Sequence, residues 1–493
     1  MTGDLLLRAV RVAGPGRELL PTDEPVDILI RDGVIADIAP TGALRATGDV
    51  LDGDGTWVIP GLWDHHVHTV QWALNAQRVP LGAASGATEA ARLVADVATL
   101  PDGRVVGAGF RDGLWTDRPT RAALDAVTRE RPTYLINADV HSVWLNSAAL
   151  RREGFDGADD DGMLREEDAF EISRRLNAAD DATADAAVAA AGARAAGRGV
   201  TGIVDFDMAW NPGAWRRRVM GGFDAHRVQA AFYASALPRA IAEGLRSGDE
   251  LSDAGGLVQV GPLKLITDGS LGTRTAACSH GYDDDPANFG VLNIGPDELR
   301  ELLTTATASG IDVAVHAIGD RAVASALDAF TFTQARGTIE HAQLVRHADL
   351  ARFARLGVVA SVQPEHAVDD RDLVSRLWDG QQAVEYPLGS LFAAGIPVRF
   401  GSDAPVAPLD PWLTIAAAVH RTGDEREAWH PEERIRIETA LQASSRHGTA
   451  SVEIGAPADL ALCARDPLGA DREQLSTMPI AATLLGGRLT HRA

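Results

Sequence analysis

Pro60-Gly61-Leu62-Trp63-Asp64-His65-His66-Val67-His68 is the stretch on which the fold turns. Residues i and i+2 of a strand point to one face, so His66 and His68 share a face and His65 takes the other. Two imidazoles at one strand end can grip one metal ion, and zinc sites commonly use two or more histidines. An isolated His-x-His more often marks ordinary structural histidines, so the rest of the chain has to decide.

Downstream, short apolar strands alternate with helical stretches. A strand over 200–206 follows an Ala-rich helix over about 182–197, and another strand covers 263–266. Helix 297–308 leads into strand 311–316, and helix 321–330 into strand 338–341. Helix 350–356 precedes strand 358–362, and helix 388–394 precedes strand 398–401. This repetition is the signature of parallel β/α units. Polar, metal-capable residues recur on these strands: Lys264, His316, His341 and Asp403. In a β/α barrel the C-terminal strand ends converge on one face, where barrel active sites lie. A lone His or Asp at a strand end is usually structural; such residues repeated in strand order, with His66 and His68, are not accidental.

The flanks read differently. Strands over 5–12, 26–31 and 34–39, with Asp32-Gly33 as a hairpin turn, form a small β unit. Strand-like segments over 459–463 and 481–485, with Gly486-Gly487 as a turn, are its natural partners. The expected organisation is a discontinuous β domain from 1–60 plus 446–493 around a barrel over 61–445. No tandem repeat is evident. The acidic loops at 156–161 and 283–285 read as solvated surface.

Composition sets the outer bounds. Of 493 residues, 45% are hydrophobic and 23% charged, which excludes disorder as the main state. Two distant cysteines, Cys278 and Cys463, exclude a disulfide scaffold. No stretch approaches 18 uninterrupted apolar residues. Residues 1–11 have no signal-peptide core, so the cytoplasm is the expected compartment. The 46 basic and 69 acidic residues give a net charge of −23, a field that repels nucleic acid and anionic lipid. With histidines gathered at the strand ends, a cation-rich site inside an acidic shell describes this balance better than solubility alone.

At this point the chain resembles a known family, the amidohydrolase superfamily in its YtcJ-like branch, also called the third amidohydrolase family. The resemblance covers nearly the whole chain. Pro60-Gly61-Leu62-x-Asp64-x-His66-x-His68 matches the first-strand motif. Lys264-Leu265-Ile266-Thr267-Asp268-Gly269-Ser270-Leu271-Gly272-Thr273-Arg274 is close to a branch-specific segment. His316-Ala317-Ile318-Gly319-Asp320, Ile339-Glu340-His341-Ala342, Gln363-Pro364-Glu365-His366 and Gly401-Ser402-Asp403-Ala404-Pro405 fit as well. So does His141-Ser142-x-Trp144-x-Asn146-Ser147.

The resemblance implies a distorted (β/α)8 TIM-like barrel with a small β-sandwich from the N- and C-terminal segments. It implies one or two divalent ions, zinc foremost. His66 and His68 would hold the first with Asp403, and His316 and His341 the second. Lys264 matches the position of a carboxylated lysine that bridges two metals; the alternative is an unmodified lysine. Asp403 is the implied general base, and His366 the helper at the substrate carbonyl, with His141 a weaker candidate. Gln363 and Trp115 are further candidates for substrate contact. Trp115, Trp144 and Trp210 would make a partly aromatic pocket or simply pack the scaffold. Arg274 would hold a substrate carboxylate, or form a salt bridge within its own loop. Asp205 and Asp207 follow a strand and read as pocket or supporting residues.

The expected activity is hydrolysis of a non-peptide C–N bond in a small molecule: an amide, N-formyl group, cyclic amide or amidine. Carboxyester or phosphoester hydrolysis is the alternative enzyme reading, and a catalytically silent binding relative the alternative class. Intact His66, His68, His316, His341 and Asp403 argue against the silent reading. Asp64-His65-His66 fits the Asp-His-His phosphoesterases poorly, because their upstream paired-aspartate motif is missing. No G-x-S-x-G and no G-x-G-x-x-G occurs, so serine-hydrolase and nucleotide chemistry lack support. The expected partner is a small molecule, with a homodimer an open possibility.

Overall fold

The computed structural model describes residues 4–16, 24–45, 47–75, 77–100, 102–112, 115–138, 142–155, 160–165, 167–177, 179–378 and 382–493. Its centre is a parallel eight-stranded sheet. In chain order the strands are β1 (Leu62–Val67), β2 (Val200–Asp205), β3 (Arg227–Tyr233) and β4 (Val258–Ile266). They continue as β5 (Val313–Ala317), β6 (Gly337–His341), β7 (Val359–Val362) and β8 (Val398–Phe400). Neighbours in sequence are neighbours in the sheet, as right-handed β/α units require. The ring closes between β8 and β1: Asp403 N–H donates to His66 C=O at 2.7 Å, and His68 N–H to Ala404 C=O at 2.9 Å. The architecture is a (β/α)8 barrel.

Register aligns the strand ends. Ile266 faces His316 across β4 and β5, and Ala317 faces His341 across β5 and β6. Every residue of β1 is buried, which is why its charged run Asp64-His65-His66 must find partners inside the protein. Strand β3 is absent from the sequence reading. Its Arg-Val-Gln-Ala-Ala-Phe-Tyr run carries two alanines and two polar residues, which blur the strand signature.

The chain ends form the β-sandwich. Leu5–Val12, Val26–Arg31, Val34–Pro40 and Trp57–Pro60 share a sheet with Leu460–Cys463, Ile480–Leu485 and Arg488–Arg492. Both glycine turns work as hairpin turns: Asp32 and Gly33 have φ of 51° and 79°, and Gly486 and Gly487 of 55° and 75°. Leu7, Val10, Ile28, Val58, Leu460 and Leu484 pack together as its core. Arg227 of β3 ties the barrel to it through Asp459, at 2.6 Å.

Residues 70–188 form a unit of their own; the barrel and both chain ends make up the other unit. The sequence reading ran the barrel domain unbroken from 61 to 445. The second unit holds a five-stranded sheet: Val79–Pro80, Val105–Phe110, Thr133–Asn137, Ser142–Leu145 and Met163–Arg165. Alternating strands and helices announce β/α chain but do not say which strands share a sheet. No described helix is long and apolar enough to cross a membrane.

Candidate metal centre

β1 delivers His66 and His68 to one face, as the two-residue period requires. His66 is buried. Its Nδ1 meets Glu340 Oε2 at 2.6 Å, while its Nε2 lies 3.5 Å from Asp403 Oδ1 and 3.5 Å from Lys264 Nζ. Burial, then the neighbouring Lys264 charge, pushes the imidazole down to about 4, so it is neutral at pH 7. The Nδ1 proton belongs to the Glu340 hydrogen bond, which leaves the Nε2 lone pair facing Asp403. His68 Nε2 stands 3.4 Å from the same Asp403 oxygen.

Asp403 and His341 reach this point through unusual backbone. Both follow a barrel strand or end it, and both have positive φ: 58° for Asp403 and 74° for His341, with Ala342 at 43°. Non-glycine residues pay about 1–2 kcal/mol for such conformations, which cluster at functional sites. The turn takes His341 out of strand alternation with Glu340. One donor atom from each of His66, His341 and Asp403 lies within 4.8 Å of the others, all three buried. Burial alone would raise the Asp403 carboxyl. In acid, where His66 takes up its proton, its charge and the hydrogen bond from His68 outweigh burial and hold Asp403 well below the usual carboxylate range. This tight group mixes residues expected in two separate ligand sets.

His316 stands beside it, its ring 4.6 Å from that of His341. Its Nδ1 faces Asp268 Oδ1 at 3.0 Å. Asp268 is itself held by the backbone N–H groups of Ala277, Ile318 and Gly319, at 3.0, 3.1 and 2.9 Å. Lys264 is buried, with Nζ 4.6 Å over the Phe206 ring. Burial lowers its ammonium to about 8, against the opposing pull of Glu340 and Asp403. For Glu340, burial works upward. The His66 hydrogen bond, the charge His66 gains in acid and the Lys264 charge prevail and bring it to about 2.

Glu340 and Asp268 have no role in the sequence reading beyond their place in quoted motifs. The inward alternation of Thr338 and Glu340 was the available signal, and the two do bond to each other. Asp64 braces the first strand against the last by accepting from His66 N–H and Ser402 N–H, each at 3.0 Å. Burial raises its carboxyl to about 6. His65 points away, as expected, and bonds Phe400 C=O at 2.9 Å.

The candidate substrate contacts divide. Gln363 Oε1 meets His341 Nδ1 at 2.8 Å, so its carboxamide orients that ring. His366 lies 6.4 Å from His341 with rings nearly parallel, and its Nε2 is buried without a protein partner. Arg274 is engaged by Asp284, with contacts of 2.6 and 3.0 Å to one carboxylate oxygen, the loop salt bridge that was its alternative reading. Trp115 belongs to the second unit, where it donates to Ala84 C=O and stacks on Phe110 at 5.2 Å. His141 lies outside the described residues. Asp205 is fully buried and accepts from Trp215 Nε1 at 2.6 Å and from Thr69 N–H at 3.2 Å, a supporting position.

Neutral imidazoles, an ionised carboxylate and a buried lysine converge at one strand-end face, and this donor set fits a divalent cation. Known proteins resemble this chain along nearly its whole length. The Amidohydrolase family model matches residues 49–491. The putative amidohydrolase YtcJ of Bacillus subtilis is 25% identical over 95% of this chain and 96% of its own. The N-substituted formamide deformylase of Arthrobacter pascens is 25% identical, covering 94% of each chain. The crystal structure of an uncharacterized metal-dependent hydrolase from Pyrococcus horikoshii superposes with a TM-score of 0.81 at 26% identity, over 95% of this chain and 99% of that one. Fold, strand-end residues and near-complete coverage together make this chain a YtcJ-like member of the amidohydrolase family.

Proposed function

We propose that the protein is a metal-dependent hydrolase that opens a non-peptide C–N bond of a small molecule: an amide, N-formyl group, cyclic amide or amidine. The observation that carries this reading is the convergence of His66, His341 and Asp403 within 4.8 Å at the mouth of the barrel. The likeness to an N-substituted formamide deformylase supports the C–N bond as the target.

His66, His68 and Asp403 would hold one divalent ion and His316 and His341 a second, with zinc the best match to imidazole and carboxylate donors. When bound, such an ion supplies a water acidic enough to ionise near neutral pH and polarises the substrate's oxygen. The chain's own groups do the rest. Glu340 and Gln363 orient His66 and His341 by accepting their Nδ1 protons. Asp403, held ionised, takes the proton of the attacking water and returns it to the leaving nitrogen. His366 Nε2, buried and unpaired, is available to the substrate carbonyl. Lys264 has a neutral fraction near pH 8, and a neutral amine adds carbon dioxide to form a carbamate with loss of a proton. The carbamate would offer oxygen donors to the ions, and it is part of the proposal.

The test is a substrate panel run on zinc-loaded protein: N-substituted formamides, acylated amines, hydantoin-like rings and amidines, each beside a matched carboxyester or phosphoester. Turnover of a C–N substrate with the higher kcat/KM is the expected result. Turnover confined to the esters would transfer the reading to ester hydrolysis, and no turnover at all would favour a binding relative.

A further inference from the structure

Strand β3 ends on Tyr233. Parallel pairing sets it beside Lys264 of β4, and residues paired across parallel strands share a face. Lys264 Nζ lies 3.5 Å from His66 Nε2. Tyr233 therefore stands on the inner face of the barrel, at the strand ends where barrel active sites lie. The chain has four tyrosines. Tyr134, Tyr282 and Tyr386 are buried, and Tyr233 is the one left partly exposed.

Its hydroxyl is only half committed. The O–H donates to Phe206 C=O at 2.8 Å. Phe206 is buried, with its ring 4.6 Å from that of His66. No other described group donates to its carbonyl, and leaving a buried carbonyl unpaired is costly, so the phenol's proton stays there. A hydroxyl also carries two lone pairs. No described group donates to the Tyr233 oxygen, so those lone pairs are open to a guest.

The surroundings favour a donor at that oxygen. Burial, then the charges of Asp207, Asp205 and Asp403, holds the phenol protonated well above the ordinary tyrosine range. The same negative field attracts an N–H and repels a carbonyl or ester oxygen brought to the phenol.

We infer that Tyr233 Oη accepts a hydrogen bond from the N–H of the scissile group, and so selects substrates that keep a hydrogen on that nitrogen: secondary amides, N-monosubstituted formamides and amidines. An N,N-disubstituted amide has no such hydrogen, and an ester has an oxygen in its place. This selectivity rests on the C–N hydrolase reading above. Tyr233 is a substrate-binding residue in this scheme, beside the groups that move the proton.

The test measures kcat/KM for two matched pairs on zinc-loaded wild type and Tyr233→Phe: N-methylformamide against N,N-dimethylformamide, and acetanilide against phenyl acetate. Wild type should prefer N-methylformamide to its dimethyl analogue. In Tyr233→Phe that preference should shrink about 10–100-fold, and the amide-to-ester ratio should fall with it. A phenol that only braces Phe206 would lower every substrate by the same factor. Equal losses would overturn the role of Tyr233 and leave the C–N reading standing. Amide turnover absent from wild type would instead defeat the C–N reading, and binding would then decide on the phenol. Crystals of zinc-loaded Asp403→Asn protein soaked in N-methylformamide should place the amide nitrogen about 2.7–3.2 Å from Tyr233 Oη. A nitrogen outside that reach, or no bound amide, would overturn the inference. The same soak decides should Tyr233→Phe fail to fold.

Discussion

Asn146 in the second unit and His66 at the barrel mouth are both fully buried polar side chains, and both sit in motifs that mark the family. Their hydrogen bonds set them apart. Asn146 spends every arm on the protein. Its Oδ1 accepts from Thr133 N–H and Ala149 N–H at 3.0 and 2.9 Å, and its Nδ2 donates to Thr128 Oγ1 and Arg131 C=O, each at 2.9 Å. It caps the helix Ser147–Glu153 and locks a strand to it. His66 spends only Nδ1 on a close partner and turns Nε2 toward Asp403 and Lys264, each 3.5 Å away. One motif closes on itself and carries fold. The other leaves donor atoms facing a common point, where the proposed chemistry would take place.

The sharpest way to break this contrast is Asp403→Asn. The substitution keeps shape and removes the base, so turnover should fall by about 10²–10⁴-fold while the thermal midpoint changes little. An enzyme of unchanged kcat would remove Asp403 from the mechanism. Glu340→Gln is the next largest effect. It weakens the acceptor that fixes His66, and zinc affinity measured by competition with a chelator should fall about 10–100-fold.

Asn146→Ala should do the opposite. It leaves several buried backbone and hydroxyl groups unpaired and removes a helix cap, at about 3 kcal/mol by denaturant unfolding, with kcat unchanged. A loss of zinc affinity in this variant would erase the distinction between the two motifs.

His226 supplies the smallest and most specific effect. It is fully buried with neither ring nitrogen bonded, and burial alone lowers its imidazole from 6.5 to about 3. Below pH 6.5 the unfolded chain takes up this proton and the folded one does not, so stability falls as pH drops toward 3. Between pH 6.5 and 5 the wild type should therefore lose about 2 kcal/mol more than His226→Leu, measured by urea unfolding at each pH. Parallel pH curves would show that His226 is protonated in the fold.

The strand-end residues were legible because parallel β/α chain puts them all on one face, whatever the loops do. His66, His68, His316, His341 and Asp403 needed only strand period and strand order. The supporting acids were not legible, because Glu340 earns its place through contact with His66, distant in sequence. The grouping of His341 with His66 and Asp403 was hidden too, since it depends on positive φ at His341 and Asp403. Strand β3 was lost to its weak composition, and the separate unit over 70–188 to the ambiguity of β/α alternation. Arg274 shows the same limit at short range: its partner Asp284 was within the quoted acidic loop, but only coordinates pair them.

The central claim is that His66, His341 and Asp403, which converge within 4.8 Å, belong to one divalent-metal centre. The most direct measurement is zinc titration of chelator-stripped full-length protein, wild type beside His341→Asn, with bound metal counted after gel filtration. The account requires one or two ions per wild-type chain and a clear loss of affinity in the variant. A stripped, folded wild type that binds no zinc, or a His341→Asn protein that binds it equally well, would contradict it.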